Sequence, residues 1–152
     1  KNIMFVNIVI AGCMIVVTTA IHAVGMVLVM QVFESQKSPP TRRLMRIFLV
    51  SAVVVMMSLA SLLEMLIYAV TFLALNAIQG FEVALYFSMV TYTTLGYCDI
   101  VLSVQCRLIG SFEAVNGIIM FGWTTAIVIA AVQRIYFRKE TEDQIVGSGN
   151  KK

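Results

Sequence analysis

The residues of this chain best suited to chemistry lie in one short stretch, Thr93-Thr94-Leu95-Gly96-Tyr97-Cys98-Asp99. It follows an apolar, aromatic-rich segment, Phe81 to Tyr92, that is free of Gly and Pro and too short to cross a bilayer and return. That segment reads as a re-entrant half-helix. Non-helical backbone at membrane depth is tolerated only where protein buries it or where it lines a water-filled path, so the stretch after the half-helix predicts a pore. Glu82 falls in the first turn of the half-helix, where a carboxylate complements the positive end of the helix dipole. The negative end then points toward the membrane centre, where it would stabilise a cation.

Further ionisable residues fall within apolar segments, His22 and Glu64 among them. An intramembrane carboxylate is a candidate functional group, because burying its charge in lipid is costly. Glu64 reads either as a carboxyl hydrogen-bonded to a neighbouring helix or as a pH-responsive group, and His22 as a packing residue rather than a sensor. Counted from the cytoplasmic ends at about 1.5 Å per residue, His22 lies about 13 Å deep and Glu64 about 27 Å deep. That difference argues against direct contact. Glu113 and Asn116 are expected to buttress the pore loop by hydrogen bonds.

The elements that must position these groups follow from hydropathy. The 152 residues are 60% apolar and 12% charged, with a mean hydropathy of +0.92, well outside the range of soluble domains. Apolar stretches from Ile3 to Gln31, Leu44 to Leu75 and Leu108 to Tyr136 each exceed the roughly 20 residues needed to cross a hydrocarbon core. Ile10-Ala11-Gly12-Cys13 looks like a lipoprotein cleavage site, but the apolar run continues well past it, so the first stretch reads as a span. Pro39 and Pro40 punctuate the first connection, and Asn76, Gln79 and Gly80 close the second span. Three units follow: 1–43, an N-terminal span with a basic loop; 44–137, the pore-forming unit; and 138–152, a tail.

Basic residues orient the spans. Lys37, Arg42, Arg43 and Arg46 lie in the first connection, and Arg134, Arg138, Lys139, Lys151 and Lys152 lie at and beyond the end of the third span, whereas 76–107 holds Arg107 alone. Both basic segments are expected to face the cytoplasm of a cell (inner) membrane, with the N-terminus outside and the C-terminus inside. Anionic lipid accounts for the basic tail, so no nucleic acid partner is expected. Cys98 and Cys106 share the oxidising side, but with Cys13 inside a span free thiols are favoured over a disulfide. The ten Met residues read as adaptable packing.

Taken as one motif, Tyr86-Phe87-Ser88-Met89-Val90-Thr91-Tyr92-Thr93-Thr94-Leu95-Gly96-Tyr97-Cys98-Asp99 resembles the pore helix and selectivity filter of the tetrameric potassium channels. Gly117-Ile118-Ile119-Met120-Phe121-Gly122 resembles the inner-helix glycine region of prokaryotic two-transmembrane channels. The resemblance is specific from about Leu75 to Tyr136 and loose before Leu75. It implies an all-α membrane protein of three transmembrane helices plus a re-entrant pore helix and filter loop, with four copies closing a homotetrameric pore. K+ would be the permeant ion, held by the Thr94 hydroxyl and carbonyl and by the carbonyls of Leu95, Gly96 and Tyr97. No other cofactor and no small-molecule substrate are expected, nor any enzymatic activity.

Thr93, Asp99, Tyr86, Phe87 and Glu82 would support the filter, though Tyr86 and Phe87 also fit ordinary interfacial aromatics. Ile118, Phe121, Thr125 and Ile129 share one helix face. By the resemblance that face lines the cavity and gate, and a lipid-facing stripe is the alternative. Gly117 is favoured as a gating hinge over a site of close helix approach; for Gly122 neither is favoured. Cys98 departs from the family, which has Gly where the backbone turns left-handed, and a side chain there costs roughly 1–2 kcal/mol. The expectation is a weakened outer filter with reduced selectivity. A non-conducting scaffold with a degenerate filter is the alternative, and a transporter is disfavoured because inverted repeats are missing. Without an Arg-rich span or a ligand-binding domain in these residues, gating is expected through the membrane helices, pH, lipid or a partner.

Overall fold

The computed structural model describes residues 2–34 and 43–136. Lys37, Pro39, Pro40, Arg42 and the tail from 137 onward lie outside the described residues, so the basic segments that orient the chain are described only at Arg43, Arg46 and Arg134. Four helices follow in order: α1 (Asn2–Glu34), α2 (Arg43–Ala74), α3 (Phe81–Tyr92) and α4 (Arg107–Tyr136). Among the described residues there is no strand, and α1, α2 and α4 are each long and apolar enough to cross a membrane. The chain is a multi-pass, all-α membrane protein.

Each long helix turns one face inward. On α2, Leu49, Val53, Met57, Ala60, Glu64, Tyr68 and Phe72 are buried, at the three- and four-residue steps that put side chains on one face. On α4, Ile109, Glu113, Asn116, Met120, Ile127, Ala131 and Ile135 are among the buried residues. The faces left exposed are rich in Val, Leu, Ile and Phe, which suits contact with lipid or with further copies of the chain. Apolar clusters tie the helices together: Met14, Tyr68, Phe72, Ala84 and Ile109 near one end, Val29, Leu49, Val53, Met57, Ile127 and Ala131 near the other, and Met65, Tyr92 and Met120 between α2, α3 and α4.

Helix α2 ends in a capped turn. The Ala77 amide donates to the Phe72 carbonyl and the Asn76 amide to the Leu73 carbonyl, both at 2.9 Å, with Asn76 left-handed at φ 51°. Asn tolerates this position because its short polar side chain bonds locally. After Gly80 (φ 89°), α3 runs back into the bundle, packed on both α2 and α4. Its last residue, Tyr92, reaches Glu64 of α2 and Gly117 of α4. Each contact lies about ten residues, or about 15 Å, inside its helix, roughly half the thickness of a hydrocarbon core. The 12 residues of α3 are therefore re-entrant, and 93–106 carries the chain back out.

Candidate functional site

The centre of the molecule is the turn where α3 stops. The Leu95 amide donates to the Val90 carbonyl and the Thr94 amide to the Thr91 carbonyl, both at 3.0 Å, and the Gly96 amide also reaches the Val90 oxygen at 3.4 Å. The first two bonds form the same cap as at the end of α2, with Thr94 in the left-handed position (φ 58°) where Gly is usual. A β-branched residue there is a conformational outlier. Left-handed backbone then recurs at alternate residues, Gly96 at φ 61° and Cys98 at φ 60°.

This backbone has a directional consequence. In a planar trans peptide the carbonyl points opposite to the following N–H. Because the N–H groups of Leu95 and Gly96 both turn toward the Val90 oxygen, the carbonyls of Thr94 and Leu95 point away from α3, on a common side. The segment from Thr93 to Asp99 is exposed in the single chain, including 55% of Leu95 and 65% of Tyr97.

Supports converge from several sides. The Tyr86 hydroxyl donates to Asp99 Oδ2 at 2.7 Å. That hydrogen bond, reinforced by burial and by the Asp99 charge, holds the Tyr86 phenol above its ordinary value. The Thr93 hydroxyl folds back to the Met89 carbonyl at 2.7 Å. Glu82 is exposed in the first turn of α3. Phe87 stacks edge-on against Phe72 with ring centroids 5.2 Å apart, so it packs into the core between α2 and α3. The Cys98 thiol lies 3.4 Å from the Gly96 carbonyl, and Cys13, Cys98 and Cys106 are free thiols.

Behind the turn lies a set of buried polar residues. Ser88 donates to Glu113 Oε1 and also lies 2.7 Å from the Met65 carbonyl, so Glu113 meets α3 itself, where the loop after it was expected. Asn116 differs from expectation. Its Nδ2 donates to Thr18 Oγ1 at 3.0 Å, tying α4 to α1 instead of to the loop. His22 and Glu64 also overturn their expectation: His22 Nδ1 lies 2.8 Å from Glu64 Oε1, both fully buried. Helix ends level with one another would keep the two side chains apart, and the ends of α1 and α2 are not level. Gly25 faces Ala60 and Met14 meets Thr71 at 3.3 Å, and with His22–Glu64 these pairs fix an antiparallel register. In that register Glu34 falls level with residues near Ser51, so α2 extends about eight residues, or about 12 Å, past the described end of α1.

Gly117 meets a close-approach requirement. A Cβ there would overlap the Tyr92 carbonyl oxygen, and α4 runs unbroken through it. Gly122 faces open space. Ile118, Phe121, Thr125 and Ile129 are exposed on the side of α4 opposite its buried face, with Phe121 edge-on to Tyr92 at 5.9 Å. Sequence reasoning passed over Tyr92, Ser88, Thr18 and Thr124. Tyr92 carried a readable signal, a phenol at the last position of a re-entrant helix, where burial demands a partner.

Three span-length helices around a re-entrant half-helix define a multi-pass membrane protein with a loop that dips back into the bundle. The family model described as ion channel matches residues 44–134, and the chain belongs to that ion-channel family. The match takes in α2, α3, the turn and nearly all of α4, and leaves α1 outside. No curated protein and no solved structure matches the chain.

Proposed function

We propose that the chain forms a homotetrameric channel that passes K+ passively down its electrochemical gradient, with Thr94 to Cys98 as the selectivity filter. Four copies set the carbonyls of Thr94, Leu95, Gly96 and Tyr97 around one axis, where they replace the hydration shell of the ion. The observation that carries this reading is the shared direction of the Thr94 and Leu95 carbonyls, fixed by the two amides on the Val90 oxygen. The exposed face of Ile118, Phe121, Thr125 and Ile129 then lines the inner cavity. In this reading 44–137 is the pore unit, 1–43 an added helix with its loop, and 138–152 a cytoplasmic tail. The N-terminus is outside a cell (inner) membrane.

The test is flux from liposomes holding the full chain, driven by opposed K+ and Na+ gradients. K+-selective, voltage-driven uptake is expected, and the absence of any cation flux would defeat the reading. A non-conducting scaffold is the second reading, favoured by one observation: Cys98 adopts φ 60° where the resemblance calls for Gly. Recovery of flux in Cys98→Gly separates a channel with an impaired mouth from a scaffold, which stays silent.

A further inference from the structure

The end of α3 is held from behind by a chain of buried polar side chains that reaches α1. The Tyr92 hydroxyl donates to Glu64 Oε2. Glu64 Oε1 lies 2.8 Å from His22 Nδ1, and His22 Nε2 lies 3.1 Å from the Thr124 hydroxyl. His22, Glu64 and Tyr92 are each 0% exposed. One residue from each of the four helices thus joins a single network, and both oxygens of the carboxylate are taken. The Trp123 ring, 5.5 Å from the imidazole, closes it on the α4 side.

This placement bears on the turn that follows. Tyr92 shares the last turn of α3 with Val90, whose carbonyl receives the amides of Leu95 and Gly96. Any rotation of that last turn moves the Val90 oxygen, and with it the peptide planes that aim the Thr94 and Leu95 carbonyls. The Tyr92 ring is fixed at its hydroxyl by Glu64, and its backbone carbonyl is fixed against Gly117. Glu64 is fixed in turn by His22. A carboxyl group taken out of water carries a desolvation cost, which an apolar side chain filling the same space would avoid.

Resting on the channel reading, we propose that Glu64 is a positioning residue for the selectivity loop, acting through Tyr92, and that α1 takes part in ion selection by orienting Glu64 through His22. The helix outside the family match is thereby part of the filter's support.

The experiment compares wild type with Tyr92→Phe, Glu64→Gln, Glu64→Leu and His22→Ala, as full chains in liposomes, by reversal potential under K+ against Na+. Tyr92→Phe and Glu64→Leu are expected to lower the K+/Na+ permeability ratio by about tenfold, equivalent to about 1.4 kcal/mol. Glu64→Gln keeps an acceptor for the Tyr92 hydroxyl and is expected to stay near the wild-type ratio. His22→Ala falls between. A selective wild type whose Tyr92→Phe and His22→Ala variants keep its ratio overturns the inference. Should Glu64→Leu fail to fold, Tyr92→Phe decides, because it removes one oxygen and keeps the ring. Hydrogen exchange at the amides of 94–96 gives a second readout that needs no conduction: faster exchange in Tyr92→Phe supports the inference, and unchanged exchange overturns it. A wild type without cation flux defeats the channel reading, and the exchange measurement then decides the positioning role by itself.

Discussion

Nδ1 of His22 lies 2.8 Å from Oε1 of Glu64 in the fully buried centre of the bundle, joining α1 to α2 through ionisable groups from separate helices. Removing one partner of a buried pair leaves the other uncompensated, which typically costs about 3–5 kcal/mol. His22→Ala should therefore destabilise the fold by that order, and adding Glu64→Gln should restore part of the loss. Denaturant titration in detergent micelles checks both. Additive losses in the two single variants and the double variant would show that the pair is not coupled.

Gly117 and Gly122 should respond oppositely to the same substitution. Gly117→Ala drives a methyl group into the Tyr92 carbonyl, and overpacking of this kind costs about 1–3 kcal/mol or more. Gly122→Ala meets nothing within 4 Å and gains helix propensity, up to about 1 kcal/mol. Thermal unfolding of the two variants should move in opposite directions. A Gly117→Ala protein as stable as wild type would mean that the contact yields without cost.

Cys98→Gly should relax the outer turn. Cys98 sits at φ 60°, where a side chain costs roughly 1–2 kcal/mol, and every copy in an assembly bears that cost. The substitution is expected to raise stability by about that amount per chain and to raise K+ over Na+ selectivity. Unchanged reversal potentials and currents would show that the outer turn does not limit conduction.

The Tyr86–Asp99 hydrogen bond predicts an alkaline signature. Because Asp99 raises the phenol above its ordinary value of 10.0, the stabilisation is fully present below that value and is lost as pH rises through the higher, folded value. The difference in ultraviolet absorbance between wild type and Tyr86→Phe should titrate with a midpoint above 10. Asp99→Asn, which removes the charge, should lower that midpoint. A midpoint insensitive to Asp99→Asn would show that the contact does not hold in solution.

The re-entrant helix was legible because its cues are local. Phe81 to Tyr92 is apolar and unbroken, Gly80 opens it and a polar turn closes it; the observed α3 has those bounds. The left-handed turn at Cys98 also followed from local resemblance, while the left-handed Thr94 (φ 58°) did not. Its conformation comes from the cap that joins Leu95 to Val90, which residue type alone does not reveal, since β-branched Thr is an unfavoured occupant of that position.

By itself the sequence determined the number of spans, the half-helix between the second and third, and the position of the turn, because a hydrocarbon core demands long apolar helices and permits irregular backbone only inside protein or beside water. The tertiary structure decided which polar groups meet. His22 reaches Glu64, Asn116 reaches Thr18, and Gly117 admits the Tyr92 carbonyl. Each contact depends on the stagger and rotation of one helix against another. Those offsets are set by packing summed along whole interfaces, such as Val29 among Leu49, Val53 and Met57, and the depth of a single residue in its own span does not encode them.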